Sequence, residues 1–429
     1  MKKIKWFFPF LLIAAIILFI TIGKSGHYIE MESTKGNIDI KHKGLKEARD
    51  FSKNKDTFYI AFKNEIIAIE GSGKSYKVLW ENNLDITSLE YLDNKLYYLS
   101  KGTLYSYDLQ NEKEEVCLEN IPYIGDYGEG ILKANGKYIY ITVGAATNSG
   151  VVGEDNTWKK NYPTVHDYSP ENLILNGVNF GDNKTSAFKE FGKSSSEGET
   201  IEKKEIGNSS ILIYNTETKA FETYGWGIRN VKGLDFSSEG KLYAAIGGME
   251  NRGDRPIVND KDYIYEIKKG VWHGFPDYSG GDPVDSPRFM DESGNTQKFV
   301  IADHPNKKPH GPIYQHDKVL SIEAMAIDTT GAISEKDTIY FYDNIEKALF
   351  SYNPLKVPKK IMDLGDKVNI KSMKFIEDKL YILENNKGTL YEIKEEDFQN
   401  NKNNLDGFFR YLIVIILTIA ITIIIVFIK

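Results

Sequence analysis

The sequence has a single cysteine, Cys117, among 429 residues, and this scarcity excludes two kinds of protein. One cysteine cannot form an intrachain disulfide, and it cannot supply a cysteine-rich zinc or iron–sulfur site. The 13 prolines follow no glycine-linked period, which excludes a collagen-like chain. A charged fraction of 27% with an aromatic fraction of 13% is typical of a globular chain rather than a disordered one.

Acidic residues are missing from both ends of the chain, 1–23 and 408–429, and each end contains a long apolar run. The runs, 6–22 and 411–428, approach the roughly 20 residues that a helix needs to cross a bilayer core. Lysines precede the first run, which favours a cytoplasmic N-terminus. We therefore predict a two-pass cell-membrane protein with both termini in the cytoplasm. A cleaved signal peptide is the alternative interpretation of the first run.

This interpretation divides the chain into four parts. They are an N-terminal transmembrane anchor (1–23), an extracytoplasmic body (24–393), a polar tether (394–407) and a C-terminal transmembrane helix (408–429). Five of the 54 basic residues and none of the 61 acidic residues lie in the two anchors, so 24–407 carries a net charge of −12. An acidic body repels nucleic acid, so we expect no nucleic-acid partner and a ligand that is neutral or cationic, such as a small molecule or sugar.

The body shows the alternation of apolar and polar residues that is typical of β-strands, divided by turn dipeptides. One strand–turn–strand unit occurs twice, at Asp93–Leu109 and at Glu377–Ile393. Each copy carries a tyrosine at the same place, and weaker copies raise the number of these tyrosines to six. They are Tyr59, Tyr97, Tyr140, Tyr243, Tyr340 and Tyr381.

The spacing of these tyrosines predicts an all-β fold, a six-bladed β-propeller. Three intervals are 38 to 43 residues, close to the roughly 40–50 residues of a propeller blade. The other two, 103 and 97 residues, predict long insert loops at 144–208 and 247–315, where function often resides. In a ring the first and last repeats can close on each other, which removes free sheet edges. A β-sandwich and an eight-bladed ring are the alternatives.

Arginine is rare, with six residues among 54 basic ones, yet four of the six fall within 60 positions. These four are Arg229, Arg252, Arg255 and Arg288. Arginine recognises carboxylates and carbonyls through paired hydrogen bonds, which lysine cannot do. The cluster predicts a binding site in the inserts. The alternative is that buried arginines hold the insert loops onto the propeller.

Six ungapped motifs follow one another in and around this region. They are ITVGAATNSGVVGEDNTW (141–158), TSAFKEFG (185–192), GWGIRN (225–230), GLDFSSEGKLYAA (233–245), NRGDRPIVNDKDYIYEI (251–267) and GVWHGFPDYSGGDPVDSPRF (270–289). In this order they resemble the glucose/sorbosone dehydrogenase family of soluble quinoproteins, over about residues 85–395. The resemblance implies a six-bladed propeller that binds pyrroloquinoline quinone (PQQ) and Ca²⁺ above its channel. It also implies oxidation of an aldose at C1.

The resemblance implies a quinone-binding role for two neighbouring residues. Arg229 and Asn230 match the family's Arg-Asn pair that contacts the quinone, and in an enzyme Arg229 would polarise it. By the chemistry of their side chains, Arg252 and Arg255 are further candidates for binding the cofactor.

The resemblance also implies a calcium loop. Gly247 and Gly248 match its start, where backbone oxygens bind the ion. Asp254 is a candidate oxygen ligand, as are Asp260 and Asp262. We expect these aspartates, however, to be solvated acids of a surface loop.

The sequence departs from the family at the catalytic base. Oxidation of a sugar hydroxyl needs a base within hydrogen-bond reach. The family places a histidine where this chain has Gly125–Gly130, which contains none. Asp126, Tyr127 and Glu129 are the candidate catalytic substitutes, although a tyrosine with a pKa of about 10 is a poor base at neutral pH. In the last blade, 367–371 replaces the family's cofactor-binding arginine pattern.

These departures set the functional prediction. We expect a membrane-anchored, extracytoplasmic propeller that serves as a ligand-binding or scaffold module, with weakened or lost catalysis. The alternative is a PQQ-dependent oxidoreductase acting on a sugar or another neutral alcohol.

The histidines offer one further candidate site. His304, His310 and His316 recur at a spacing of six residues. Because imidazole is the commonest metal ligand, a metal site is one interpretation, and a titrating surface loop is the other. His273 lies in an aromatic motif, where we expect it to pack rather than to react.

Overall fold

The computed structural model describes residues 38–394, with the exception of residues 307 and 355. Both predicted membrane helices lie outside the described residues, as does the tether beyond residue 394. Among the residues that are described, no helix is long and apolar enough to cross a membrane.

Six four-stranded antiparallel sheets, which we call blades 1 to 6, form the body. Blade 1 contains β2 (Asp50–Asn54), β3 (Thr57–Ala61), β4 (Glu65–Ile69) and β5 (Ser75–Trp80). Blade 2 contains β6 (Ile86–Leu92), β7 (Lys95–Ser100), β8 (Thr103–Asp108) and β9 (Lys113–Leu118). Blade 3 contains β10 (Leu132–Asn135), β11 (Tyr138–Val143), β16 (Ser210–Asn215) and β17 (Phe221–Trp226).

The remaining blades follow in chain order, and the last one also takes the first strand of the chain. Blade 4 contains β18 (Val231–Phe236), β19 (Leu242–Ile246), β20 (Tyr263–Ile267) and β23 (Tyr314–Gln315). Blade 5 contains β24 (Ile322–Asp328), β25 (Thr338–Asp343), β26 (Ala348–Tyr352) and β27 (Lys359–Asp363). Blade 6 contains β28 (Ile370–Ile376), β29 (Lys379–Glu384), β30 (Thr389–Ile393) and β1 (Ile38–Lys43).

The six tyrosines that predicted the blades all lie in the second strand of a blade, from β3 to β29. Five of them are buried, and Tyr243 is partly buried. A second strand has a neighbouring strand on each side and a blade on each face, so a large side chain there is enclosed. The predicted six-bladed propeller is therefore confirmed for the described residues.

The ring closes through a strand rather than through a contact between matching blades. β1 is the outer strand of blade 6 and pairs with β30, so that Ile38 lies opposite Ile393 and Lys43 opposite Thr389. The repeat at Asp93–Leu109 lies in blade 2, not in the first blade. The expectation that matching first and last repeats meet was therefore wrong, although closure still covers the edge of β30.

The two predicted inserts are real but differ in form. The first runs from the end of β11 to the start of β16 and contains β12 (Leu173–Asn176), β13 (Asn179–Phe180), β14 (Thr185–Ser186), β15 (Glu197–Ile201) and a 3₁₀ helix (Thr157–Lys160). The second is divided by β20 into two segments. The later segment contains β21 (Tyr278–Ser279), β22 (Asp282–Pro283) and a 3₁₀ helix (Pro287–Phe289).

Strand direction gives the propeller two distinct ends. Within a blade, the strands run antiparallel in the order inner, second, third and outer. The loops that join the outer strand of one blade to the inner strand of the next therefore lie at the same end of the propeller as the loops that join a second strand to a third. We call this the mouth end, and the first insert starts there. The opposite end, where β30 ends at Ile393 and β1 begins at Ile38, we call the tether end.

Candidate functional site

A cavity of about 450 Å³ lies along the propeller axis and opens at the mouth end. Every blade contributes its inner strand to the cavity wall. The contributing residues include Asp50, Ser88, Leu132, Val231, Ala324 and Ile370. Residues of the mouth-end loops, among them Asp126, Tyr127 and Glu129, form the rest of the wall.

The inner part of this cavity is charged. Lys374 is buried, and its ammonium group donates to the carbonyl of Leu89 at 2.7 Å and to the carboxylate of Glu90 at 2.8 Å. Asp50 accepts a third, longer bond from the same group. Burial raises the pKa of Glu90, although the charge of Lys374 opposes this. The inner wall therefore holds buried charges that are paired within the protein.

The rim of the cavity carries cations that are also paired. Arg49 lies 2.5 Å from Asp85, and Lys232 lies 2.8 Å from Glu323. Lys371 lies 2.6 Å from Glu129. Four asparagines add neutral hydrogen-bonding groups between these pairs. They are Asn230, Asn344, Asn369 and Asn385.

Arg229 follows β17 at the mouth end and is 3% exposed. Its Nε donates to the carbonyl of Asn148 at 2.7 Å, and one terminal nitrogen donates to the carbonyl of Gly247 at 3.1 Å. The other terminal nitrogen contacts Glu250 Oε1 at 2.9 Å, Asn148 Oδ1 at 2.8 Å and the hydroxyl of Tyr127. Protein groups therefore occupy all three guanidinium nitrogens.

Arg252 joins the same network from the other side of Glu250. Its Nε donates to Glu250 Oε2 at 2.9 Å, and one terminal nitrogen donates to Asp126 at 2.8 Å. Its remaining terminal nitrogen pairs with Asp155. Burial raises the pKa of Glu250, but bonds from Arg252 and Tyr127 and the charge of Arg229 outweigh it and lower the pKa to about 2.

Two of the three candidate bases, Asp126 and Tyr127, are held in this network, whereas Glu129 pairs with Lys371 at the rim. Asp126 accepts bonds from Arg252 and, at 3.0 and 2.8 Å, from Asn156 and the indole of Trp158. Tyr127 donates its hydroxyl proton to Glu250. Burial strongly raises the pKa of Tyr127, and Glu250 adds to this effect. The structure thus brings together Asp126, Tyr127, Arg229 and Arg252.

Asn230 lies next to Arg229 but makes a different contribution. Its side chain is 6% exposed and lines the cavity, and its Nδ2 has no partner among the described residues. A buried donor without an acceptor costs free energy that a ligand can recover. Asn230 therefore places a buried donor without a partner in the wall of the cavity.

Arg255 does not join these residues. It is fully buried, and it donates to Asp277 at 2.8 Å and to the carbonyls of Ser149 and Pro276 at 2.9 Å. Asp277 also accepts the backbone N–H groups of the later insert segment, at Val300 and Ile301. Arg255 thus holds the inserts together, which was the alternative interpretation of the arginine cluster.

The glycines of the predicted calcium loop lie beside Arg229. The carbonyl of Gly247 accepts from Arg229, and the N–H of Gly248 donates to Asp262 at 3.0 Å. Asp254 lies elsewhere, in contact with Gly181 and Gly153. In the described part of the chain, no group of three or more His, Cys, Asp or Glu side chains is arranged to hold a metal.

The expectation that the loop aspartates are solvated was wrong for two of them. Asp260 and Asp262 are buried. Asp262 accepts four backbone N–H groups, including those of Ser321 and Ile322 at 2.7 and 2.8 Å, and Asp260 accepts the N–H of Met249. Asp262 thus ties the start of blade 5 to the loop of blade 4, whereas Asp260 bonds within that loop and to Tyr263 of β20.

The three evenly spaced histidines do not meet. His304 lies 3.0 Å from Asp277, whereas His310 contacts His273. His316 is buried and lies 2.9 Å from Asp343, which contradicts the surface-loop interpretation for this residue. His273 is buried in ring contacts with its neighbours, so the expectation that it packs is confirmed.

Glu250 and Asn148 are the members of the network that the sequence did not reveal. Glu250 adjoins the motif that contains Arg252, and Asn148 lies inside another motif, so both are close to segments that the sequence analysis had selected. Their partner Arg229 is 81 positions from Asn148, and no local pattern reports such a contact. A buried arginine needs a carboxylate partner, and the sequence shows none next to Arg229. This was the only indication in the sequence that a distant acidic residue binds it.

Among the solved structures with a similar fold are two dehydrogenases. The PQQ-bound form of aldose sugar dehydrogenase from Streptomyces coelicolor gives a TM-score of 0.51 at 13% identity, covering 84% of this chain and 99% of that one. The holo form of the pyranose dehydrogenase PQQ domain from Coprinopsis cinerea gives 0.54 at 10% identity, covering 85% and 97%. No family model and no curated protein sequence matches the chain. The similarity establishes a shared propeller fold.

Proposed function

We propose that this protein is a membrane-anchored, extracytoplasmic propeller that binds a neutral small molecule of the sugar class in its mouth cavity without oxidising it. The observation that carries the proposal is the state of Arg229. The side chain suited to polarising a bound quinone already donates to Glu250, Asn148, Gly247 and Tyr127. A group in this state contributes to the scaffold rather than to a reaction.

The chemistry of the rim supports a neutral ligand. The cations at the rim are matched by nearby carboxylates, as in the pair of Lys371 with Glu129. An anion would therefore have to break an ion pair in order to bind. Hydroxyl groups need only donors and acceptors, which the four rim asparagines supply. Asn230 is the first of these, because its Nδ2 is buried without a partner among the described residues.

The absence of oxidation follows from the candidate bases. A general base needs a free lone pair close to the proton that it removes. The carboxylate of Asp126 already accepts bonds from Arg252, Asn156 and Trp158. Tyr127, whose pKa is strongly raised, retains its proton at neutral pH, and the carboxylate of Glu129 is paired with Lys371. No histidine lies among the residues that line the cavity in the described chain.

The residues present do not fit the quinone cofactor. PQQ carries several carboxylates, which need cations that are free to pair with them. Arg229 and Arg252 share the carboxylate of Glu250, and Arg252 also pairs with Asp126 and Asp155. Arg255 is sealed in the inserts against Asp277. We accordingly assign no PQQ or Ca²⁺ to the proposed function.

Binding can be tested on the purified full-length chain in detergent. Titration calorimetry with a panel of neutral monosaccharides should detect saturable binding, which Asn230→Ala should abolish. Asn83→Ala is the matched control, because Asn83 is exposed in a mouth-end loop and does not line the cavity. The proposal fails if no sugar binds, or if both variants bind equally well.

The competing function is a PQQ-dependent oxidoreductase acting on a sugar or another neutral alcohol. It is favoured by the position of Arg229 and Asn230, which lie side by side at the mouth as the sequence resemblance implies. Full-length chain supplied with PQQ and Ca²⁺ would then reduce a dye when sugar is added, and Arg229→Ala would abolish this activity. We expect neither dye reduction nor a change in quinone absorbance on titration.

A further inference from the structure

The two ends of the propeller chain emerge at one point. Ile38, which begins β1, pairs with Ile393, which ends β30, at the tether end of blade 6. The predicted membrane segments therefore connect to neighbouring positions on the propeller. The ligand cavity opens at the opposite end, since Asp126 and Asn230 belong to mouth-end loops.

A tether alone does not decide how the propeller sits on a membrane. The 14 residues of 394–407 could span about 46–50 Å if fully extended, at about 3.3–3.6 Å per residue. This reach would allow the body to turn. A fixed orientation needs a contact between the propeller itself and the lipid.

The loop between β26 and β27 of blade 5 offers such a contact. It joins a third strand to an outer strand, so it lies at the tether end, where blade 6 has Ile38 and Ile393 in place of a loop. The side chain of Val357 in this loop is 79% exposed, more than any other large apolar side chain in the described chain. Val357 is therefore presented one blade away from the chain ends.

The surroundings of Val357 suit a lipid surface. Pro354 and Pro358 restrict the backbone on both sides, so the loop loses little conformational freedom on insertion. Lys356 and Lys359 are exposed beside it, and Lys356 pairs with the exposed Glu335. Lysine stems cover apolar surface while the ammonium group reaches the headgroups.

We propose that the tether end of the propeller rests on the membrane, with Val357 inserted among the lipid headgroups, so that the ligand cavity faces away from the bilayer. The inference rests on the proposed membrane anchoring.

The test uses full-length chain with Cys117→Ser, reconstituted into phosphatidylcholine–phosphatidylglycerol vesicles. Val357→Cys carries an environment-sensitive fluorophore. Ile345→Cys is the matched control, because Ile345 is 48% exposed in the mouth-end loop of the same blade. On reconstitution, the label at 357 should shift to the blue and be quenched by nitroxide-labelled lipid, whereas the label at 345 should do neither.

Flotation of the vesicles separates the two ways in which this can fail. A chain that does not float with vesicles lacks the proposed anchoring, and the orientation falls with it. A chain that floats while both labels stay unquenched, or while only the label at 345 is quenched, overturns the orientation and leaves the anchoring in place.

Discussion

The guanidinium of Arg229 lies over the ring of Tyr127, with its central carbon 4.1 Å from the ring centroid, and both residues bond to the same oxygen of Glu250. Arg229 is almost fully buried, so its charge depends on this carboxylate. The network joins four regions of the chain, around residues 126, 148, 229 and 250. It should therefore govern both the shape of the mouth and the stability of the propeller.

Glu250→Gln should destabilise the propeller. The substitution leaves a buried guanidinium without its counter-charge, which costs about 3 kcal/mol. Urea denaturation followed by tryptophan fluorescence measures the loss. The control is Glu239→Gln, because Glu239 and its partner Lys241 are both exposed and such pairs contribute less than about 1 kcal/mol. Equal effects of the two substitutions would contradict the assigned role of Glu250.

The same carboxylate should make stability depend on pH. The pKa of Glu250 is about 2 in the folded chain, against an ordinary value of 4.5. Its contribution is therefore fully present above pH 4.5 and is lost as the pH falls toward 2. The urea midpoint of the native chain should fall more steeply across this window than that of Glu250→Gln. Asp343, whose pKa is also lowered to about 2, contributes in both proteins and cancels in the comparison.

Gly128→Ala should disturb the mouth loop. A Cβ at this position would lie 1.9 Å from the carbonyl oxygen of Tyr123, so the backbone that carries Asp126 and Tyr127 must move. We expect loss of sugar binding together with lower stability. Gly311→Ala is the control, since its Cβ would meet nothing closer than 3.9 Å. Calorimetry and urea denaturation check both variants, and a Gly128→Ala protein that binds normally would refute the prediction.

Removal of β1 should open the ring. A chain that begins at residue 44 lacks the strand that covers β30, and β30 would become a free edge. Compared with a chain that begins at residue 36, it should unfold at lower urea concentration and aggregate more readily. Light scattering and denaturation curves measure these effects. Unchanged curves would mean that β1 contributes little to closure.

The blades could be read from the sequence because their signal is local. A tyrosine in a short alternating strand recurs once per blade, and burial between neighbouring strands explains each occurrence. The closing strand could not be read in this way. Apolar and polar residues alternate only weakly in β1, and most of its residues are exposed. No pattern in them indicates pairing with a strand some 350 positions away.

The site was predicted in part for the same reason. The rarity of arginine in the sequence drew attention to Arg229 and Arg252, and both bind the carboxylate of Glu250. It also drew attention to Arg255, which lies in the inserts. The carboxylate partners separate these cases, Glu250 for the first two and Asp277 for Arg255, and such partners come from tertiary contacts. Asp262 illustrates the limit, because a polar loop residue looks solvated until backbone N–H groups from a distant segment are found around it.

The pairing of Ile38 with Ile393 also determines how the ring responds to mechanical tension. A force that separates the two chain ends acts at the first pair of the β1–β30 ladder. The ladder would then be peeled one residue pair at a time, instead of being sheared along its whole length. Blade 6 is consequently the blade that we expect to open first when the two chain ends are pulled apart. The chain enters and leaves the propeller in this blade, so the force does not act directly on the other five.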